Sequence, residues 1–355
     1  MLGPRQVGKT TAIFQTLKKC PLPTHYATAD DLVGNPQNWI LEQWQVAKTL
    51  GTHGILVLDE IQKIPNWSET IKKLWDDQNR LTKKHLSLFL LGSSSFNLQQ
   101  GLTESLTGRF EVVRFYHWNF NESKKLYPFT LQDYYKYGGY PGSYTLLKDP
   151  ARWKSYLREA IIETVIGKDI LSQRSVRNPI LFRQAFEILC AYPAQEISYH
   201  KLLGQLQERG NVELIKHYIE LYKYAFLLTE LPKFSNKVHL KKASSPKILP
   251  LSPALVTYHY RDIDPGRLFE MAVGLELLRL PGELSYWREG NQEVDYILKT
   301  DHHLYAIEVK SGHKKGTKGL QFFCKQFPKA RPIILSEDLF PHLSAKGLTF
   351  LKEME

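Results

Sequence analysis

Cysteine is scarce in this 355-residue chain: Cys20, Cys190 and Cys324 are its only three, far apart and odd in number. Such spacing excludes a disulfide framework and the paired cysteines of a zinc site, and it fits a reducing cytoplasm. Long apolar runs are missing too. No stretch approaches the roughly 18 residues that read as a membrane helix, and the start of the chain lacks the basic-plus-apolar pattern of a signal peptide. A cytoplasmic protein with no membrane partner is therefore expected. Acidic residues are in deficit, 36 against 47 Lys and Arg, which leaves a formal charge of +11. That imbalance favours an anionic partner, with nucleic acid (DNA foremost) the first candidate. Many basic proteins have no such partner, so charge alone does not decide.

The first motif that carries chemistry comes at once. Gly3, Pro4, Arg5, Gln6, Val7, Gly8, Lys9 and Thr10 spell G-x-x-x-x-G-K-T, and Thr11 continues it. Glycines in such a loop let backbone N–H groups close around phosphates, while the next helix points its positive end at them. Lys9 is expected on the β- and γ-phosphates and the Thr10 hydroxyl on Mg²⁺. The helix that must follow is present in "TTAIFQTLKKC", with Ile13, Phe14 and Leu17 predicted on one face. Only Met1 and Leu2 precede the loop, so the strand that anchors it is expected to be missing most of its length.

Downstream, Ile55 to Leu58 form a continuous apolar run that ends in Asp59 and Glu60. A run apolar on both faces reads as a buried parallel strand, and its carboxyl end is where α/β sheets place ligands. Asp59 is expected to hold Mg²⁺, and Glu60 to orient or deprotonate the attacking water. A third strand, "LSLFLLGSSS", delivers Ser93, Ser94 and Ser95, hydroxyls placed to sense a γ-phosphate. Arg109, in "ESLTGRF", falls between a helix and a strand. An arginine there can serve a neighbouring subunit's nucleotide in a homo-oligomer or be an ordinary surface cation.

Taken in order, "GPRQVGKTT", "LVLDEIQKIPNW", "LLGSSS" and "ESLTGRF" resemble the AAA+-type P-loop ATPases of bacteria and archaea often called archaeal-type ATPases. The likeness continues through "YGGYPG" to the end of the chain. It implies ATP as ligand, Mg²⁺-dependent hydrolysis by Lys9, Thr10, Asp59 and Glu60, a sensor at Ser94 and a finger at Arg109. Members of that group carry a few tens of residues ahead of the loop.

The middle of the chain is helical. In "ARWKSYLREAIIETVIGKDIL", Trp153, Tyr156, Leu157, Ala160, Ile161 and Val165 make a stripe at helical spacing, predicted to be packing. From about residue 176, three helical patterns and a strand-like "LTELPKF" outline a winged helix-turn-helix, with Asn211 an N-cap for the third helix. That helix carries Tyr218, Tyr222 and Tyr224 but only Lys216 and Lys223 as strong cations, which favours packing or protein contact over a DNA groove. "KVHLKKASSPK" reads instead as a basic wing able to touch phosphate backbone.

The last third holds "EVDYIL" and "LYAIEVK", two strands joined by "KTDHH". Asp295 lies on the first; Glu308 and Lys310, two apart, project from one face of the second. Two carboxylates and a lysine on paired strands can hold Mg²⁺ and activate water for phosphodiester cleavage. The pattern resembles the PD-(D/E)XK nuclease family, whose helix glutamate implies a further metal-site role for Glu270. A preserved nuclease-like fold with no activity stands beside that reading. Lys314, Lys315 and Lys318 could line a backbone track or form a solvated turn.

The expected architecture is a multidomain α/β chain: a P-loop ATPase domain at 1–120, a helical connector at 121–175, a winged helix at 176–250 and an α/β nuclease-like domain at 251–355. The expected function is a Mg²⁺-dependent ATPase coupled to nucleic-acid binding or processing. A nucleotide-dependent switch that binds a protein partner and never cuts is the alternative.

Overall fold

The structure, a computed structural model, describes residues 1–354 except 33, 82–84, 93–97, 99–104, 173–175, 207–210, 236–243, 261 and 313–315, with the side chains at 37, 81 and 85 also outside that description. The serines after the third strand, Ser94 among them, most of the expected basic wing, and Lys314 and Lys315 thus lie outside the described residues. The chain divides into two compact units, Met1–Tyr116 and His117–Glu355.

In the first unit, strands β1 (Thr24–Thr28), β2 (His53–Asp59) and β3 (His85–Leu90) form a parallel sheet with β2 in the middle. Parallel neighbours need crossovers, supplied by α2 (Pro36–Lys48) and α3 (Trp67–Leu81). β2 is buried from Gly54 to Asp59, as an uninterrupted apolar run requires. Beyond β3 the sheet continues through the first two residues. The Met1 nitrogen donates to Leu90 O at 2.6 Å, and Leu2 makes a parallel bridge to Arg114, with Leu2 N to Val113 O at 2.9 Å and Phe115 N to Leu2 O at 2.7 Å. Met1 and Leu2 therefore stand between β3 and residues 113–115, at the central place from which the glycine loop hangs.

Helix α1 (Lys9–Leu17) follows that loop. Its predicted apolar face is only partly covered. Ile13 is 3% exposed and packs with Ile55, Val57 and Leu91, but Phe14 is 41% exposed, its ring 4.6 Å from that of Tyr26.

The second unit begins with α4 (Phe120–Leu126) and α5 (Leu131–Tyr137), each opened by a capping box, Asn119 with Glu122 and Thr130 with Asp133. Helix α6 (Pro150–Tyr156) runs on in wide π-turns over Leu157–Ile162 and Thr164–Leu171. An i→i+5 bonding pattern broadens each turn, so the buried stripe becomes Trp153, Leu157, the pair Ile161 and Ile162, the pair Val165 and Ile166, and Ile170. Tyr156 and Ala160, predicted to belong to it, are only partly covered.

Next come α7 (Pro179–Cys190), β4 (Gln195–Glu196), α8 (Tyr199–Gln205), α9 (Val212–Tyr224), β5 (Leu228–Leu231) and β6 (Lys247–Pro250). The strands form a small antiparallel sheet in the order β4-β6-β5. Asn211 caps α9 by accepting from Leu214 N at 2.8 Å. Tyr218 and Tyr222 of α9 are fully buried against Phe182, with ring centroids 4.9 and 4.4 Å away, so these aromatics serve packing.

After α10 (Pro253–Thr257), the long α11 (Pro265–Leu278) lies on a four-stranded sheet of order β10-β9-β8-β7. Its strands are β7 (Glu283–Glu289), β8 (Gln292–Lys299), β9 (Leu304–Lys310) and β10 (Ala330–Ser336), with β9 and β10 parallel and the other pairs antiparallel. Strand alternation puts Tyr305 and Ile307 in the core with Phe269 and Val273 of α11, and Ala306 with Phe323 of α12 (Lys318–Gln326). Helices α13 (Phe340–Lys346) and α14 (Leu348–Glu353) close the chain.

Candidate functional site

The loop and the end of β2 form the first site. Gly8 adopts a left-handed φ of 88° as α1 begins, and Gln6 is also left-handed at 60°. Gly3 is required for a different reason. A Cβ there would lie 2.6 Å from the Phe115 Cβ and 2.7 Å from the Phe115 O, so the loop meets the neighbouring segment too closely for any side chain. Lys9 is buried and its ammonium folds back on the loop, donating to Gly3 O at 3.0 Å and Pro4 O at 2.7 Å. Those carbonyls hold the cation in the loop's mouth. Val7 is buried beneath the loop, and Thr11 is exposed at the start of α1.

Thr10 and Asp59, 49 residues apart, meet directly: Thr10 Oγ1 donates to Asp59 Oδ2 at 2.8 Å. Tyr26, on β1, donates to the same oxygen at 3.1 Å, and Glu60 N donates to Oδ1 at 2.8 Å. Burial and the adjacent Asp59 carboxylate push the Tyr26 phenol far above its ordinary range, so it remains a donor. Glu60 takes a left-handed φ of 53°, and its Oε2 accepts from Gln62 Nε2 at 2.5 Å. Gln62 is in turn wedged by Gly92, where a Cβ would meet Gln62 Oε1 at 2.3 Å. Neither the contact of Tyr26 with Asp59 nor that of Gln62 with Glu60 was legible in the sequence. The hydroxyl and the strand-end carboxylate suit the hard-oxygen coordination of Mg²⁺, which keeps waters and takes few protein ligands, and N–H groups of a glycine loop suit phosphate.

Arg109 stands elsewhere in the unit. Its Nε and Nη2 pair with Asp76 of α3 at 2.9 and 3.2 Å, and its Nη1 reaches Thr107 O at 3.3 Å.

In the second unit, Glu270, Asp295, Glu308 and Lys310 gather in one cluster, together with two cations the sequence reading did not name. Lys247, on β6, donates to Glu270 Oε1 at 2.6 Å and to the backbone oxygen of Asp295 at 3.1 Å. Arg267, one turn before Glu270, takes its other oxygen at 2.9 Å. Asp295 Oδ2 accepts from Val309 N at 2.7 Å, and Lys310 donates to Glu308 Oε1 at 2.5 Å. Glu308 Oε2 is buried without a hydrogen bond. Dense surroundings and the nearby Glu270 charge hold the Asp295 carboxyl well above its ordinary range, against the pull of Lys247. Burial also raises Glu308, with Lys310 opposing. Among the described residues, no three Asp, Glu, His or Cys side chains stand so as to hold a metal ion.

Comparison with known proteins divides the chain into three stretches. Residues 1–124 match an AAA domain, residues 129–264 a Domain of unknown function (DUF8612), and residues 265–342 a Domain of unknown function (DUF4143). An uncharacterized protein of Methanocaldococcus jannaschii is 28% identical over 322 residues, covering 83% of this chain and 70% of that protein. An uncharacterized protein of Mycobacterium tuberculosis is 26% identical over 334 residues, covering 87% of this chain and 69% of that protein. Among solved structures, a RuvB mutant of Thermogota maritima aligns at 15% identity over 65% of this chain and 80% of that one, with a TM-score of 0.33. Among the described residues, no helix is long and apolar enough to cross a membrane. The chain thus carries an AAA domain of P-loop type at its start and a DUF4143 domain towards its end.

Proposed function

We propose that the first unit binds ATP with Mg²⁺ and hydrolyses it. The observation that carries this reading is the 2.8 Å contact between Thr10 Oγ1 and Asp59 Oδ2, which joins the end of the phosphate loop to the carboxyl end of a buried strand. Lys9 exchanges its two carbonyl partners for phosphate oxygens, and the loop amides from Gln6 to Thr10 line the anion. Bound Mg²⁺ supplies charge neutralisation on the terminal phosphates, with Thr10 and Asp59 as its protein ligands. Glu60, steadied by Gln62, orients the attacking water and accepts its proton. Ser94 as a phosphate sensor and Arg109 as a finger reaching a second copy complete the proposal. Lys9→Ala is expected to abolish nucleotide binding, whereas Glu60→Gln should keep binding and stop hydrolysis. Wild-type turnover by Glu60→Gln would remove Glu60 from the mechanism.

For the second unit we infer a winged helix followed by a PD-(D/E)XK-like sheet. The net charge of +11 supports nucleic acid as a partner, and a strand-borne Asp295, Glu308 and Lys310 supports a cleaving site. Two observations favour the alternative, a nucleotide-dependent switch that binds a protein and does not cut. Each carboxylate of the cluster already has a hydrogen-bond or ion-pair partner. The outward face of α9 also alternates in sign, with Glu213, Lys216, Glu220 and Lys223 exposed and Lys216 paired to Glu213 at 2.9 Å. Metal-dependent cleavage by the full chain, lost in Asp295→Ala, would restore the cleaving reading.

A further inference from the structure

Lys247 is the least expected member of the carboxylate cluster. It opens β6, the central strand of the small antiparallel sheet, where it lies across from Glu196 of β4 and Leu231 of β5. From there its side chain enters the site built by α11, β8 and β9, and only 7% of the residue remains exposed. Lysine is almost never buried to that degree unless it is paired. The ammonium has a carboxylate oxygen of Glu270 at 2.6 Å, the Asp295 carbonyl at 3.1 Å and the face of Tyr296, with its ring centroid at 4.8 Å. Anion, carbonyl dipole and aromatic face are three features that attract a cation.

The same atoms are what a divalent ion would need. Mg²⁺ takes one or two carboxylate oxygens at about 2.0–2.1 Å and fills the rest of its octahedron with water. Here one Glu270 oxygen faces Lys247 and the other faces Arg267. Asp295 Oδ2 is bonded to Val309 N, and Glu308 Oε1 to Lys310. Glu308 Oε2 is buried without a hydrogen bond, but the Glu270 oxygen that would share an ion with Asp295 is already taken by Lys247. Lys247 and Arg267 both pair with Glu270 and Lys310 with Glu308, so two of the three carboxylates already hold cations, and the third, Asp295, holds the Val309 N–H. A divalent ion bridging Glu270 and Asp295 would sit against the buried Lys247 ammonium, where like charges repel more strongly than in bulk water.

We propose that Lys247 is the resident cation of this cluster: its ammonium holds the position a divalent ion would take between Glu270 and Asp295, and the site admits such an ion only when that charge is removed. This deepens the non-cutting reading of the second unit and rests on the nuclease-like assignment of the cluster. The cluster then acts as a polar joint within the unit, fixing the first residue of β6 onto α11 and β8.

The test is a Mn²⁺ titration of the full chain without nucleotide, read by the loss of the free-ion electron paramagnetic resonance signal. Wild type and Asp295→Asn should bind the same number of ions. Lys247→Met and Lys247→Gln should each gain one Mn²⁺ per chain, and Asp295→Asn placed in either background should remove it. Circular dichroism and the thermal midpoint report whether each variant is folded. If neither Lys247 variant folds, the comparison of wild type with Asp295→Asn still decides: equal counts support the proposal. A wild-type ion lost in Asp295→Asn overturns it, as does a folded Lys247→Gln that gains none. Absence of ATP hydrolysis would sink the reading of the first unit but would leave these counts unchanged, because no nucleotide is present.

Discussion

Replacing Gly3 by alanine separates two jobs that the glycines of a phosphate loop are usually given together. At Gly8 the need is conformational: its φ is +88°, and an added Cβ would find nothing nearer than Thr11 Cβ at 4.0 Å. Alanine there costs about 1–2 kcal/mol of left-handed strain and no clash. At Gly3 the need is spatial. A Cβ 2.6 Å from Phe115 Cβ and 2.7 Å from Phe115 O cannot be relieved by turning a flexible side chain. Either the loop or residues 113–115 must move. Overpacking of this kind costs about 1–3 kcal/mol. If the segment retreats, the Leu2 N–Val113 O and Phe115 N–Leu2 O bonds, at 2.9 and 2.7 Å, are stretched as well. Each contributes about 1 kcal/mol net. Gly3→Ala should therefore destabilise the first unit by roughly 2–4 kcal/mol, a large share of the about 5–15 kcal/mol that a domain commands. Urea unfolding of the full chain, followed by fluorescence, should show an earlier first transition, and titration with a fluorescent ATP analogue should show weakened binding. Wild-type unfolding and wild-type affinity in Gly3→Ala would refute the steric argument, and Gly3 would then matter only for backbone freedom.

Further perturbations probe the rest. Gln62→Ala removes the amide that holds Glu60 Oε2 at 2.5 Å. Misorientation of a water-positioning group should lower kcat roughly 10- to 100-fold with KM little changed, and an equal change in both would mean that Gln62 acts on binding. Mixing Arg109→Ala with Lys9→Ala protein should restore part of the ATPase activity if the arginine serves a neighbouring copy; a well-formed mixed oligomer without rescue leaves Arg109 to its ion pair with Asp76. His259 gives a pH test. Burial, with Lys154 adding to it, lowers its pKa from 6.5 to about 4, so the folded state stays neutral where the unfolded chain takes a proton. Stability should then fall as pH drops from 6.5 towards 4, by on the order of 2–3 kcal/mol. That slope should flatten in His259→Phe, measured as the thermal midpoint against pH, and an unchanged slope would assign it to other groups.

What sequence alone determines here is local in origin. A phosphate loop is a run of backbone conformations, so Gly3, Gly8, Lys9 and Thr10 declare it without reference to the rest of the fold. β2 is buried on both faces and shows as an apolar run, and its carboxyl end follows directly, which is why Asp59 and Glu60 could be placed. Strand alternation similarly put Glu308 and Lys310 on one face, and Asn211 was legible as a cap because capping spans a single turn. Tertiary structure decided the partners. Tyr26 reaches Asp59 across 33 residues, and Lys247 reaches Glu270 across 23 and the Asp295 carbonyl across 48. No spacing rule links such pairs, because the contact depends on which strands become neighbours. The width of a π-turn, which exchanged Ala160 for Ile162 in the buried stripe, likewise depends on packing. The slot filled by Met1 and Leu2 exists only once β3 and residues 113–115 stand on either side. Chemistry that resides in one segment is encoded there, whereas the charge balance of a site is set by side chains that distant segments bring to it.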